Sequence, residues 1–147
     1  MSNISYYIVM CLGMFAANNA LSYAGAFQIL HKSGALDFLI SNYNAEHLLG
    51  MDDVMDDLQT IVERKKEASS PVANDNITHY GDNTQRFLIE SMTSEIAGYI
   101  MEDRQVDLET ALEQFFNSPA AELIADTDTL LYREGSAYVY EKYFKNL

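Results

Sequence analysis

The sequence predicts an all-α protein made of two small helical units, of about four helices each, joined by a polar linker. Two observations carry this prediction. Apolar residues recur at the spacing of a helix face through most of the 147 residues. An amphipathic pattern also occurs twice, at Leu21 to Ser33 and, 85 positions later, at Val106 to Ser118. The chain is therefore expected to be a diverged tandem repeat.

The two copies of this pattern have matching starts, faces and ends. Ser22 and Asp107 stand where a side-chain oxygen can accept a free backbone N–H group at a helix start. Gly34 and Pro119 follow the copies, and both residue types disfavour continuation of a helix. A loose chance alignment of two four-helix patterns is the alternative interpretation. The apolar positions are Tyr23, Ala26, Phe27 and Leu30 in the first copy and Leu108, Ala111, Leu112 and Phe115 in the second.

The first predicted unit covers residues 1–67. A helix over residues 4–18 is apolar on most sides and is therefore expected to be buried. A third helix, after the repeated pattern, runs to about Tyr43, and a fourth begins near Met51, with acidic residues early and basic residues late, as the helix dipole favours. No Lys or Arg precedes Lys32, and the first apolar run is short, so we predict neither a signal peptide nor a membrane span.

The second predicted unit covers residues 84–147, and a linker at residues 68–83 separates it from the first. The linker has few large apolar residues and many turn formers. Asn83 or Thr84 is the predicted N-cap of a long fifth helix. The second copy of the repeated pattern, a short helix over Ala120 to Ala125 and a last helix near the end of the chain follow.

The charge balance bears on the kind of partner the protein can have. Nine basic residues face twenty-two acidic ones, which gives a net charge of −13. This balance argues against a nucleic-acid groove, since binding phosphates takes clustered Lys and Arg. An acidic surface could bind a basic protein partner, or it could serve only to keep the protein soluble. The single cysteine, Cys11, has no partner for an internal disulfide, which fits a cytoplasmic location.

Four aspartates are the first candidates for chemistry. Asp52 and Asp56, and likewise Asp53 and Asp57, are one helical turn apart and could share a cation. No histidine or third acidic ligand follows at a fitting spacing. We therefore predict a solvated acidic face at a helix N-terminus and no metal site.

The remaining reactive residue types do not form a catalytic pattern either. His31, His47 and His79 have neither metal-ligand nor triad spacing. Cys11 lies on an apolar helix face, where a thiol does not gain the lowered pKa that a nucleophile needs. The sequence contains no phosphate-binding loop and no nucleotide fingerprint. We therefore predict no catalytic residues, no cofactor and no enzymatic activity.

Tyrosines near the C-terminus suggest a protein interface instead. The chain has ten tyrosines and no tryptophan. Tyr132, Tyr138 and Tyr140 are close together in sequence, and a tyrosine ring can both pack and hydrogen-bond, as interfaces favour. The alternative is that part of this cluster belongs to the core.

The first half resembles a family of small bacterial proteins of unknown function with the pattern AFxYL, GIDFLIxxYxxEHTL and DAVDDL. Leu49-Gly50 stands where that family has a polar cap. The matching residues are Ala26-Phe27, Leu36 to Ile40, Tyr43, Glu46-His47, Asp52 to Val54 and Asp56 to Leu58.

The second half resembles a different small bacterial family with the pattern TALxxFYNS and DTxTGLYxxSxxYVY. Leu130 replaces the glycine of that pattern, and Pro119 follows its Asn-Ser. The matching residues are Thr110 to Leu112, Phe116 to Ser118, Asp126-Thr127, Thr129, Leu131-Tyr132, Ser136 and Tyr138 to Tyr140.

Together the two resemblances imply a function. Proteins of both families are often encoded beside a protein similar to an ADP-ribosyltransferase, in what resembles a toxin–antitoxin operon. The chain then resembles a fusion of two antitoxins that neutralises such a toxin by direct binding. No nucleic acid or membrane is expected as a partner. The residues expected to contact the toxin are Asp52, Asp53, Asp56, Asp57, Tyr132, Tyr138 and Tyr140.

Two other functions remain open at this point. The chain could be a self-associating helical module with a structural or regulatory role and no toxin partner. An enzyme with an unrecognised carboxylate site is the third reading, and metal binding that depends on Asp52 and Asp56 would favour it.

Overall fold

The computed structural model describes residues 3–66 and 82–145, and within these ranges the side chains of Asn3 and Lys66 are not described. Most of the predicted linker, residues 68–81, lies outside the described residues, as does His79. The described residues form helices and no strand, which confirms the all-α prediction. The helices are α1 (Asn3–Asn18), α2 (Tyr23–Ser33), α3 (Ala35–Ser41), α4 (Tyr43–Glu46), α5 (Met51–Lys66), α6 (Asn83–Arg104), α7 (Leu108–Phe116), α8 (Pro119–Ala125) and α9 (Ser136–Tyr143), with 3-10 turns at Thr127–Thr129 and Leu131–Arg133.

The two predicted N-caps of the repeated pattern are confirmed. Ser22 Oγ accepts a hydrogen bond from the backbone N–H of Gly25 at 2.8 Å, and Asp107 Oδ1 accepts one from Thr110 at 2.8 Å. Each bond satisfies an N–H group that has no partner within its own helix. α2 ends at Gly34, whose φ of 84° is left-handed and therefore favours glycine.

Three boundaries differ from the sequence prediction. The N-cap of α6 is Asp82 rather than Asn83 or Thr84, because Asp82 and Gln85 exchange hydrogen bonds of 2.8 Å between each side chain and the other's backbone N–H. The third helix stops at Ser41, and the separate α4 follows. Asn42 Nδ2 donates to Phe38 O at 2.8 Å at this break. Pro119 does not only stop α7; it is the first residue of α8.

The helices on both sides of the linker share one hydrophobic core. α1 packs against α6, and the two repeated helices, α2 and α7, pack against each other. Phe27 on α2 stacks on Phe116 on α7 with ring centroids 5.2 Å apart. The prediction that α1 is buried is confirmed, because Ile8, Val9, Cys11 and Leu12 are fully buried.

The order of elements repeats at nearly the same offset as the sequence pattern. α2 and α7 begin 85 residues apart, as do α5 and α9. α3 and α8 begin at residues 35 and 119. The division into two diverged copies stays a prediction, and these matching starts agree with it.

None of the described helices is by itself long and apolar enough to cross a bilayer. α1 and α2 reach that length and hydropathy only together, and a bend of 106° separates them.

Candidate protein interface

The four aspartates predicted to contact a partner lie on one side of α5. Asp52, Asp53 and Asp56 are exposed, and Asp57 is half-buried. Asp52 and Asp53 are in the first turn, where negative charge interacts favourably with the helix dipole. The other side of α5 packs against α1, α2 and α3. The side chains that α5 buries are Val54, Met55, Leu58 and Val62.

The residues between α4 and α5 present apolar side chains to solvent. Leu48 is 77% exposed and Leu49 is 45% exposed. Their backbone N–H groups donate back into α4, to Ala45 O at 3.2 Å and to Glu46 O at 3.0 Å. These bonds fix the backbone from which both leucines project. We name residues 46–57 the α4–α5 corner.

Aromatic rings connect the α4–α5 corner to α1. The Tyr43 and His47 rings stack with centroids 4.4 Å apart, and Tyr7 on α1 meets the Tyr43 ring edge-on at 5.3 Å. His47 Nδ1 lies 2.6 Å from the carbonyl oxygen of Tyr43. The corner is therefore supported by α1 as well as by its own hydrogen bonds.

Glu46 gives the corner an unusual carboxyl group. The residue is 7% exposed, and its Oε2 atom is buried without a hydrogen-bond partner. Burial, and then a hydrogen bond and charge interaction with Asp57, raise the pKa of Glu46 above its usual range. A neighbouring carboxylate disfavours the ionised form of Glu46, as burial does.

The structure places the three tyrosines of the predicted interface differently. Tyr138 is 54% exposed, whereas Tyr132 and Tyr140 are buried. Gln85 Nε2 donates to the Tyr132 hydroxyl at 3.2 Å, and the Tyr140 hydroxyl donates to Asp103 Oδ2 at 2.6 Å. Burial and this bond raise the pKa of Tyr140 to about 12. Of the three rings, Tyr138 is thus the one with most of its surface open to a partner.

The aspartates and Tyr138 belong to different parts of the fold. α5 packs against α1, α2 and α3, whereas α9, which carries Tyr138, packs against α6. On α9, Lys142 Nζ lies 5.6 Å from the centre of the Tyr138 ring. The predicted contact residues therefore do not form one cluster, and their role in binding stays a prediction.

His31 has a structural role that the sequence analysis missed. Its Nδ1 atom lies 2.6 Å from Glu109 Oε2, and its Nε2 atom lies 3.0 Å from Glu113 Oε2. The imidazole ring also stacks on Phe27 at 5.1 Å. His31 thereby joins the two repeated helices, α2 and α7. The one available signal was the i, i+4 spacing of the two glutamates on α7.

A buried polar network between α1, α2 and α6 was also missed. Glu90 is 5% exposed and accepts a hydrogen bond from the Tyr23 hydroxyl at 2.8 Å. Arg86 Nη2 lies 3.6 Å from Glu90 Oε2 and donates to Gly13 O at 2.9 Å. Burial raises the pKa of Glu90 above its usual value. The network joins α6 to the first half of the chain.

Other parts of the described structure offer less for chemistry. Within residues 3–66 and 82–145, no group of three or more His, Cys, Asp or Glu side chains is arranged to hold a metal ion. Burial raises the pKa of the Cys11 thiol to about 12, so the thiol is protonated at neutral pH. A pocket of about 240 Å³ lies between α6 and residues 132–136. Ser136 donates to Glu95 Oε1 at 2.9 Å within it.

Comparison with known proteins connects the first half of the chain to one family. Residues 6–65 match the model of the family described as "Protein of unknown function (DUF3791)". This DUF3791 match runs from α1 nearly to the end of α5, and so includes the α4–α5 corner. It agrees with the predicted resemblance of the first half to a family of unknown function. No curated protein and no solved structure matches the chain.

Proposed function

We propose that this protein is a non-enzymatic antitoxin, which binds an ADP-ribosyltransferase-like toxin directly in the cytoplasm. The DUF3791 match supports the first of the two family resemblances from which this proposal comes. The toxin itself and the fusion of two antitoxin families are part of the proposal.

The observation that carries the proposal is the exposed acidic side of α5. Asp52, Asp53 and Asp56 project into solvent, while the opposite side of the same helix is buried. The whole chain carries a net charge of −13, so its field attracts a basic surface over some distance and speeds association with it. An acidic helix on a preformed core needs no catalytic group to block an enzyme.

In this mechanism the chain covers the NAD-binding or substrate cleft of the toxin. The α5 aspartates meet basic residues at the rim of the cleft, and the exposed ring of Tyr138 fills a pocket. Tyr132 and Tyr140 are buried, so in this mechanism they act only through the packing of the second half of the chain. The bound chain excludes substrate by occupying space.

The test is the affinity of the whole chain for the ADP-ribosyltransferase-like toxin that the proposal expects to be encoded beside it. Reversing Asp52, Asp53, Asp56 and Asp57 to lysine should weaken binding about tenfold or more at low salt. A second variant with asparagine at the four positions removes the charge and avoids placing lysines at the N-terminus of a helix. An unchanged affinity in both variants would remove the electrostatic part of the proposal.

A matched control separates the α5 face from net charge. Four exposed acidic residues outside α5 are reversed to lysine in the control, which makes the same change in total charge. The control should lose much less affinity, and an equal loss would show that only net charge matters. The four control residues are Glu102, Glu122, Asp128 and Glu134.

Self-association is the second candidate function. It is favoured by exposed Phe87, which is 53% exposed and meets the Tyr6 ring at 6.0 Å, and by exposed Tyr138. The large negative charge opposes it, because two copies repel each other. Sedimentation equilibrium on the isolated chain decides between the two: a stable dimer that dissociates on changing Phe87 or Tyr138 to serine would favour self-association.

A further inference from the structure

The described parts of the two halves, residues 3–66 and 82–145, meet at one limited surface. The main contacts between them join α1 to α6, and α2 to α7 and α8. By contrast, α3, α4 and α5 make their main contacts within the first half, and α9 makes its own with α6 in the second half. We give the name α1–α2 face to the side of α1 and α2 that carries Tyr6, Gly13, Tyr23, Phe27 and His31, which contact the second half.

Hydrogen bonds across the α1–α2 face fix how the second half is placed on it. The Tyr23 hydroxyl on α2 donates to Glu90 Oε2 on α6 at 2.8 Å. Arg86 Nη2 on α6 donates to the carbonyl oxygen of Gly13 on α1 at 2.9 Å. Because each bond is made in only one relative position of the helices, the two bonds together select one orientation of the second half.

Aromatic and ionisable side chains connect α2 to α7 on the same face. The Phe27 ring stacks on the Phe116 ring with centroids 5.2 Å apart. The two ring nitrogens of His31 lie 2.6 Å from Glu109 Oε2 and 3.0 Å from Glu113 Oε2. Aromatic packing beside specific polar contacts is typical of an interface between two proteins. The contacts across the α1–α2 face therefore resemble those between two subunits.

The DUF3791 match ends before the second half begins. It covers residues 6–65, and so includes α2 and nearly all of α1. It includes none of the three helices that cover the α1–α2 face in this chain, which are α6, α7 and α8. The face thus belongs to a unit that is defined without the helices that cover it here.

We propose that the α1–α2 face is a noncovalent docking surface for a second helical unit, and that in this chain the unit is its own second half. The linker then contributes only proximity, by holding the two halves at an effective concentration of about a millimolar. The second half of another copy of the chain presents the same residues and takes the same place when the linker is cut. This inference needs no toxin, so its outcome is separate from that of the proposed function.

The first experiment cuts the whole chain after it has folded. A recognition sequence for a site-specific protease replaces residues 70–76, which lie outside the described residues, and the uncut protein with the same replacement is the control. At micromolar concentration the cut chain should elute from gel filtration with the mass of the uncut chain. Its unfolding midpoint should rise with protein concentration, whereas that of the uncut control should not. Separate elution or precipitation of the halves after cutting would overturn the proposal.

The second experiment measures whether halves exchange between molecules. Cut chain labelled with ¹⁵N is mixed with unlabelled cut chain and held just below the unfolding midpoint, and native mass spectrometry then identifies the pairs. Mixed pairs of one labelled and one unlabelled half are expected. If the pairs stay unmixed, the halves form one inseparable unit, and the docking proposal is wrong.

Two tyrosine variants of the cut chain test the specific contacts. Tyr23→Phe removes the hydroxyl that donates to Glu90 across the face, and it should weaken the pairing of the halves about tenfold. Tyr140→Phe is the matched control, because it removes a hydroxyl that donates to Asp103 within the second half, and it should change the pairing less than about twofold. Sedimentation velocity over a dilution series measures both dissociation constants, and unfolding midpoints of the uncut variants check that each one folds. Equal losses in the two variants would contradict a specific docking face.

Discussion

Glu90 on α6 occupies the space that a side chain at residue 13 of α1 would need. A Cβ atom added to Gly13 would lie 2.9 Å from Glu90 Cδ and 3.0 Å from Tyr23 Cε1. Real Cβ atoms almost never approach another atom within 3.0 Å, so the buried Glu90 carboxyl group, or the helix that carries it, would have to shift. The absence of a side chain at Gly13 lets the Glu90 carboxylate reach Tyr23 and lets Arg86 reach the Gly13 carbonyl oxygen.

Replacing Gly13 with alanine should therefore destabilise the fold. The added methyl group would contact Glu90 and Tyr23, and overpacking of a buried site destabilises a fold by about 1–3 kcal/mol. This exceeds the stabilisation of about 1 kcal/mol that alanine gives over glycine through its higher helix propensity. Urea denaturation of the two proteins measures the difference in free energy of unfolding.

Gly98 on α6 is the matched control for this change. No atom lies within 4 Å of a Cβ added there, so Gly98→Ala should be neutral or stabilising by up to about 1 kcal/mol. Equal effects of the two alanines would show that the close approach at Gly13 does not matter.

Glu90 should also make stability depend on pH. Burial raises the pKa of Glu90 in the folded state above its usual 4.5, although the Tyr23 hydrogen bond and Arg86 act in the opposite direction. The folded state thus binds the proton more tightly, and this contribution to stability is complete below pH 4.5 and is lost as pH rises through the folded-state pKa. Glu90→Gln lacks this titration and keeps an acceptor for Tyr23.

Urea denaturation of the unaltered chain and of Glu90→Gln, at a series of pH values from below 4.5 upward, measures the free energy of unfolding of each protein. Subtracting the free energy of unfolding of Glu90→Gln from that of the unaltered chain should give a value that falls as pH rises from 4.5. Parallel curves, or a difference that grows with pH, would contradict the raised pKa.

Local features of this fold could be predicted from sequence, and the long-range polar contacts could not. Ser22 and Asp107 cap helices through bonds to residues three positions away, so the chain near each cap contains the needed information. Glu90 and Tyr23 are 67 residues apart, and nothing in either neighbourhood indicates the other. The contacts of His31 could not be predicted for the same reason, since its partners Glu109 and Glu113 lie on α7.

The candidate site shows the same limit. The exposed aspartates follow from the periodicity of α5, because the apolar positions fix which side is buried. For Tyr132, Tyr138 and Tyr140, periodicity did not decide burial. Tyr132 lies in a 3-10 turn, and α8, with seven residues, and the turns after it are too short to carry a lasting pattern. The burial of Glu46 does not follow from its place in the family pattern, because a short pattern contains no information about packing between helices.

His31 should couple the two repeated helices. Replacing His31 with alanine removes both glutamate contacts and the stacking on Phe27, and we expect a loss of about 1–2 kcal/mol. A double-mutant cycle with Glu109→Gln and Glu113→Gln isolates the polar part, which should be about 1 kcal/mol or less because all three side chains are partly exposed. Additive effects of the histidine and glutamate changes would show that the contacts carry no coupling.

Leu130 should store backbone strain. Its φ of 58° is left-handed, and its side chain is 48% exposed, so little packing compensates. Removing this strain with Leu130→Gly should raise the free energy of unfolding by about 1 kcal/mol. The greater backbone freedom of glycine in the unfolded chain reduces this gain. Gln105→Gly, at a φ of 53°, is the matched comparison. If Leu130→Gly destabilises the fold and Gln105→Gly does not, the packing of the Leu130 side chain outweighs its backbone strain.

The most direct test of the proposed function is inhibition of ADP-ribosyl transfer. The proposed toxin, an ADP-ribosyltransferase-like protein, is assayed with labelled NAD and its protein substrate while the whole chain is added in increasing amounts. The proposal predicts that transfer stops when the chain saturates the toxin, and that the four-aspartate reversal of α5 needs about tenfold more protein for the same effect. Transfer that continues at its full rate with a large excess of folded chain would contradict the antitoxin function.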